Sequence, residues 1–289
     1  MYSGTCRRLA LTAILLLAPI TEASSQSTEV VTGSDTISYA SCGSGPATIL
    51  LVHGWSNNRT FWEPHLFELS RRHRVVAVDL ASFGESTAHR TEWSMAAFGS
   101  DLAAVLDDID EDQVVVVGFS MGGAVAVELA ALGREDVIGI VLVDILQDPD
   151  YAPLDDEIDR RLEQTRQNWR DPTSLQSALS PSASTSLVRR YISRTPEVVP
   201  EEWWASYRDV FVWMRTDMRT TLRSVRVPIA AINSAGTPTL VEAWQQYAPG
   251  FSAHVLGDVG HLGSIWERVD EFDEVLIGLV EDFRGLSRD

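Results

Sequence analysis

The chain has 289 residues, is 45% hydrophobic and carries a formal charge of −18. It is long enough for one large α/β domain with an insertion or for two small domains, and too apolar to be a disordered chain. So negative a surface repels nucleic acid and anionic lipid. All 23 basic residues are arginine, which excludes a Ser–Lys dyad, a Schiff-base lysine and a Walker P-loop.

Residues 1–25 have the order of a secretory signal: Arg7 and Arg8, then the apolar run LALTAILLLAPI (9–20), then the small residues of TEASSQ. The mature chain is expected to begin between Ser24 and Ser27 and to be secreted or periplasmic; an uncleaved N-terminal anchor is the alternative. The apolar run is too short to cross a bilayer as a helix and no later run is longer, so no stable membrane insertion is expected after cleavage. Loss of Arg7, Arg8 and Glu22 takes the charge from −18 to −19. Cys6 lies inside the signal, which leaves Cys42 alone and the mature chain without an intramolecular disulfide.

TEVV and TISYAS read as two short strands around a Gly-Ser-Asp turn, and ATILLVHG as an apolar strand ending in His-Gly. The order then alternates: helix TFWEPHLFELSRR, strand RVVAVDL, helix MAAFGSDLAAVLDDI, strand QVVVVGF, helix MGGAVAVELAAL, strand VIGIVLVD. Continuous apolar strands between helices predict a mostly parallel sheet with helices on both faces. From Ile145 to Arg226 the alternation stops, the composition turns polar and helical, and the loop SPSAST lies in the middle. After this insertion the strand VPIAAIN, the helix LVEAWQQYA, the strand FSAHVLG and a final helix from about Ile265 to Phe283 resume the pattern. The expected organisation is a core of 26–144 and 227–289 with a helical insertion of 145–226.

Gly118-Phe119-Ser120-Met121-Gly122 follows four valines and precedes a small-residue helix. A nucleophile between strand and helix sits in a tight turn that needs small neighbours, and the helix N-terminus favours developing negative charge. A glycine-rich packing turn is the bland alternative. A serine hydroxyl needs a base. Of six histidines, His261 falls in the loop between strand FSAHVLG and the last helix, at the sheet edge where sites form. His254, inside that strand, is expected to pack, His65 lies on a helix, His73 and His89 lie in connecting segments, and His53 shapes the turn before Gly54. An oxyanion needs two amide donors, one from Met121 after the serine and one from the HGW loop at Trp55.

LLVHGW, VDLASFGES, VVGFSMGGA, VLVD and VGHLGSIWE, in that order, resemble the α/β-hydrolase superfamily, in particular its members with a helical cap between the sixth and seventh strands. The resemblance covers roughly Ile37 to Phe283 and implies Ser120 as nucleophile, Trp55 and Met121 as oxyanion residues and His261 as base. Serine at the elbow departs from the dehalogenase and epoxide hydrolase branches, which carry aspartate there. Ala81-Ser82 replaces the usual proline-glycine turn and is expected to alter a cap-facing loop.

The resemblance also implies an acid after the seventh strand, and here INSAGTPT (232–239) offers only Ala235 or Thr237. The family's alternative, after the sixth strand, points to Asp144. Asp148 is four residues on, Asp258 is close in sequence to His261, and Glu242 lies on the following helix; a turn or capping role for Asp144 stays open.

In WWASYRDVFVWMRTDM, Trp203, Tyr207, Phe211 or Val210, and Met214 recur at helical spacing and form an apolar face, either ordinary packing or a roof over the site. Neither a metal nor a cofactor is expected: there is no HExxH and no cysteine cluster. The expectation is a serine hydrolase for small to medium carboxylic esters, working through an acyl-enzyme. Lactone or carbon–carbon bond hydrolysis on the same residues, or a ligand-binding protein of low turnover, are the alternatives.

Overall fold

The structure, a computed structural model, describes residues 26–287; the expected export segment lies outside them. β1 (Gln26–Thr32) and β2 (Asp35–Cys42) form a hairpin closed by Gly33, whose φ of +63° suits the tight turn. β3 (Thr48–Val52), β4 (Arg74–Val78), β5 (Val114–Phe119), β6 (Val137–Val143), β7 (Ile229–Ser234) and β8 (Ser252–Leu256) complete an eight-stranded sheet ordered β1-β2-β4-β3-β5-β6-β7-β8. The first two strands pair antiparallel, and the pairs from β3–β4 to β7–β8 are parallel.

Period-two alternation along the valine strand sends Val114 and Val116 to one face and Val115 and Val117 to the other, each joining a separate apolar cluster. Helices α2 (Met95–Ile109) and α3 (Met121–Ala131) cover the first face; α1 (Glu63–Ser70) and α11 (Val269–Leu286) cover the second. Every residue of β3, β5 and β6 is buried, as a sheet coated on both sides requires.

Two expected helices are cut short. LVEAWQQYA supplies only the single turn α9 (Val241–Trp244), anchored by the Trp244 indole, which donates to the Leu146 carbonyl at 2.9 Å and stacks on Phe251. Pro249 disfavours helix at the residue before it. The last helix divides at Glu267–Arg268 into the single turn α10 (Gly263–Trp266) and α11.

Between β6 and β7 lie five helices: α4 (Asp155–Gln167), α5 (Pro172–Leu179), α6 (Thr185–Ile192), α7 (Glu201–Thr216) and α8 (Met218–Ser224). α7 packs on α2, α3 and α4, and α8 on α3, and residues of the insertion enclose one cavity with Phe119 and Asp144 at the ends of β5 and β6. Residues 145–226 hold 12 arginines against 13 acidic residues, and the rest of the chain 11 against 28. The formal charge therefore divides into −1 on the insertion and −17 on everything else.

Candidate active site

Ser120 occupies the one-residue joint between β5 and α3 with φ +50° and ψ −124°, a strained backbone for a residue with a Cβ. Sterics enforce the small residues on either side of it. A Cβ at Gly122 would lie 2.5 Å from the Val52 and His53 carbonyl oxygens, and one at Gly118 would collide with the Gly122 backbone. The Ser120 amide donates to the Val143 carbonyl at 2.9 Å, which ties the joint to β6.

The Met121 amide is the first of α3, and such an amide has no intrahelical partner. The chain after β3 passes close to it: a Cβ on Gly54 would stand 3.1 Å from that of Ser120. Trp55 follows immediately, with its side chain turned to the insertion. Its indole donates to the Trp203 carbonyl at 2.5 Å, and its ring stacks on Tyr207 at 4.4 Å between centroids. The main chain of residue 55 is thereby held beside Ser120.

His261 lies between β8 and α10, with 43% of its side chain exposed and its ring against Phe119. Nδ1–H donates to Asp144 Oδ2 at 2.5 Å, so Nε2 is the nitrogen left for a reacting group. Among the described residues no hydrogen bond joins Ser120 Oγ to His261, although both line one cavity; such contacts commonly tighten in the substrate complex.

Asp144 ends β6 in the left-handed region, φ +50°, with its carboxylate 5% exposed. Oδ1 accepts the Ser234 amide and the Ser234 hydroxyl, both at 2.8 Å, and the Gln147 amide at 3.3 Å. Burial pushes this carboxyl up, but the hydrogen bond and charge of His261 and the two Ser234 donors outweigh it and hold it below its ordinary value. The strand end that lacks an acid thus contributes two donors to the acid on its neighbour. Neither Ser234 nor Gln147 stood out in the sequence; a serine closing an apolar strand looks like any strand end.

The other acids are placed differently. Asp148 lines the cavity, but its Oδ1 accepts the Asp150 amide. Glu242 is exposed, and Asp258 is a left-handed turn residue. Thr237 lines the cavity. Among the histidines, His53 accepts the Leu80 amide on Nε2 and faces the Gly54 carbonyl through Nδ1, shaping the turn as expected. His65 is buried between Asp273 and the Ile265 carbonyl. His254, expected to pack, is exposed, because β8 is the last strand of the sheet and most of its side chains are uncovered.

The cavity measures about 700 Å³, within the roughly 300–1,000 Å³ common for small-molecule sites. From α7, Tyr207, Val210, Phe211 and Met214 line it. Trp203 does not, which corrects its assignment to the pocket. Its indole donates to the Ser82 carbonyl at 2.9 Å and its ring stacks on Phe83 at 4.4 Å. The first turn of α7 is therefore clamped onto the loop after β4, one layer behind the site. The same loop meets the insertion through Ser82, whose hydroxyl donates to Glu202 at 3.1 Å. Among the described residues no cluster of metal-ligating side chains is present, and no helix is long and apolar enough to cross a membrane.

This sheet order, with a strained serine between strand and helix and a His–Asp pair at the neighbouring strand ends, defines an α/β hydrolase. Residues 49–275 match the model of the Alpha/beta hydrolase family, and the chain belongs to that family. It is 35% identical over 147 residues to Lipase LipV of Mycobacterium tuberculosis, across 44% of this chain and 53% of that protein. It is 39% identical over 101 residues to an uncharacterized protein of the same species, across 35% and 29%. The matched stretch thus spans between about a quarter and a half of these relatives' lengths. Among solved structures it resembles a thermophilic esterase from Thermogutta terrifontis, with a TM-score of 0.72, 22% identity and coverage of 89% and 99% of the two chains. It also resembles the enol-lactonase from Burkholderia xenovorans, with a TM-score of 0.73, 19% identity and coverage of 89% and 100%.

Proposed function

We propose that the protein is a serine hydrolase that cleaves small to medium carboxylic esters through an acyl-enzyme, with Ser120, His261 and Asp144 as its triad. The observation that carries this reading is the 2.5 Å bond from His261 Nδ1–H to the buried Asp144 carboxylate, made beside the strained Ser120 in one cavity. Asp144 fixes the imidazole tautomer that presents Nε2 as base and stabilises the imidazolium once it forms. Ser120 Oγ attacks the ester carbonyl while His261 takes its proton. The Trp55 and Met121 amides receive the oxyanion, and His261 returns the proton to the leaving alkoxide. Water, deprotonated by the same imidazole, then releases the acyl group. Residues 145–226 act as the cap, with Tyr207 and Met214 against the acyl chain. Names among the related proteins include lipase, esterase and lactonase, which supports carboxylic ester chemistry and keeps lactones as a second substrate class. We further propose that the chain is exported on the signal of residues 1–25.

An active-site phosphonate ester followed by peptide mapping tests the nucleophile. The expected result is a single adduct on Ser120, absent from Ser120→Ala, together with loss of turnover on a panel of acyl esters and lactones. Turnover that survives Ser120→Ala would overturn the reading.

A further inference from the structure

Arg170 is a cation on the cavity wall that the chemistry above does not use. It lines the site and is half-buried, and among the described residues it has neither an ion pair nor a hydrogen bond. Arg161, the other arginine on the wall, is held by Glu157 and by the Tyr151 hydroxyl, and Asp144 is held by His261.

The fold also keeps Arg170 unpaired. The acid next to it, Asp171, caps α5 by accepting the Ser174 amide at 2.8 Å. Arg170 itself stands at φ +60° in the reversal between α4 and α5, a left-handed backbone that residues with a Cβ seldom adopt. The position of the reversal is set by Trp169, whose indole donates to the Pro196 carbonyl at 3.0 Å and whose ring meets Trp55 at 5.5 Å. The residue before Arg170 thus touches the side chain of Trp55, whose main chain lies beside Ser120. Its chain neighbours on the wall, Asn168 and Ser174, are polar, and so are Thr195 and Tyr191, whose hydroxyl donates to Asn57 at 3.0 Å. Elsewhere on the wall the Arg161 guanidinium lies over the rings of Tyr151 and Phe211, where Glu157 already pairs it. Of the two guanidinium groups on the wall, Arg170 is the one that no acid of the described residues pairs.

We propose that Arg170 forms an anion subsite, and that the preferred ester carries one negative group, in the simplest case a carboxylate, which pairs with its guanidinium. Arginine presents a planar fork of donors suited to such a group. The −17 charge elsewhere does not forbid entry, because fields between exposed charges decay over roughly 8 Å at physiological ionic strength. The inference deepens the esterase reading and rests on it for the turnover measurements.

The test compares monomethyl esters of dicarboxylic acids, from succinate to suberate, with neutral methyl esters of the same chain length. In Arg170→Gln, the ratio of kcat/KM for anionic over neutral ester is expected to fall ten- to a hundredfold, with most of the loss in KM; Arg170→Lys keeps most of the ratio. Calorimetric binding of monomethyl adipate to Ser120→Ala, with and without Arg170→Gln, needs no turnover and should show the same loss. If neither ester is hydrolysed while binding still depends on Arg170, the serine-esterase reading fails and the subsite stands. An unchanged ratio and unchanged binding in Arg170→Gln overturn the subsite, as does a loss in Arg170→Lys equal to that in Arg170→Gln.

Discussion

An imidazole with 43% of its surface open to a cavity is free to turn and change tautomer unless a neighbour prevents it, and Asp144 is that neighbour. Asp144→Asn keeps the shape but presents an amide to Nδ1. We expect turnover to fall by about a hundredfold or more, up to about ten-thousandfold, in initial-rate assays on variants whose melting is checked separately. Ser234→Ala removes one of the two Ser234 donors to Oδ1; losing a hydrogen bond to a charged group costs about 1.5–3 kcal/mol. The carboxyl is held below its ordinary value, so its contribution to stability is present above the unfolded pKa of about 4 and is lost as pH falls through the folded one. Acid titrations of the wild type and Ser234→Ala should diverge only above that range; parallel curves throughout would refute the linkage. Ser120, His261 and Asp144 were legible as residue types at the ends of predicted strands. The Ser234 donors were not, because only the adjacency of β6 and β7 brings position 234 to position 144.

Helix α7 joins the insertion to the core at both ends of its apolar face, and the two ends serve different purposes. Trp203, clamped between Ser82 and Phe83, is 8% exposed; Trp203→Ala should cost about 3–5 kcal/mol of stability with no change in acyl chain-length preference. Met214→Ala, at the cavity wall, should shift the preference between acetate and octanoate esters, because remote binding surface serves longer substrates. Equal effects of Met214→Ala on both esters would assign it to packing. Helical periodicity could identify the stripe but not which residues face the void, since that depends on where α7 crosses the loop after β4. The same helix carries Asp209, which accepts the Met95 amide at 2.9 Å. Burial, with Asp217, Glu92 and Glu128 nearby, pushes its carboxyl up to about 6. A raised carboxyl pKa destabilises the fold as pH rises from about 4 through 6. Asp209→Asn should therefore stabilise the protein at pH 8 by about 1–2 kcal/mol after allowance for solvent screening, read as a higher Tm, and the gain should vanish below about pH 4.

At the scale of the whole molecule, a formal charge of −18 makes folding compress like charges, a cost that salt relieves. Tm should rise as sodium chloride goes from low millimolar to several hundred millimolar, and sodium sulfate matched for ionic strength should add a further increment through surface exclusion. A flat Tm across the chloride series would mean that the charges are already compensated by the many arginine–carboxylate pairs. The alternating order of strands and helices was readable because each buried strand is a run of apolar residues. The arrangement of the five inserted helices was not, because polar helices of similar composition pack in ways that only contact with α2 and α3 decides.

The division of charge, −1 on residues 145–226 and −17 on the rest, also makes the protein an electric dipole whose negative pole is the sheet with its flanking helices. On a cationic solid support it should adsorb by that pole, leaving the inserted helices and the cavity beneath them facing the liquid. Protein immobilised in this way on an anion-exchange matrix should retain more of its specific activity than protein coupled at random through its carboxylates, without an engineered attachment point.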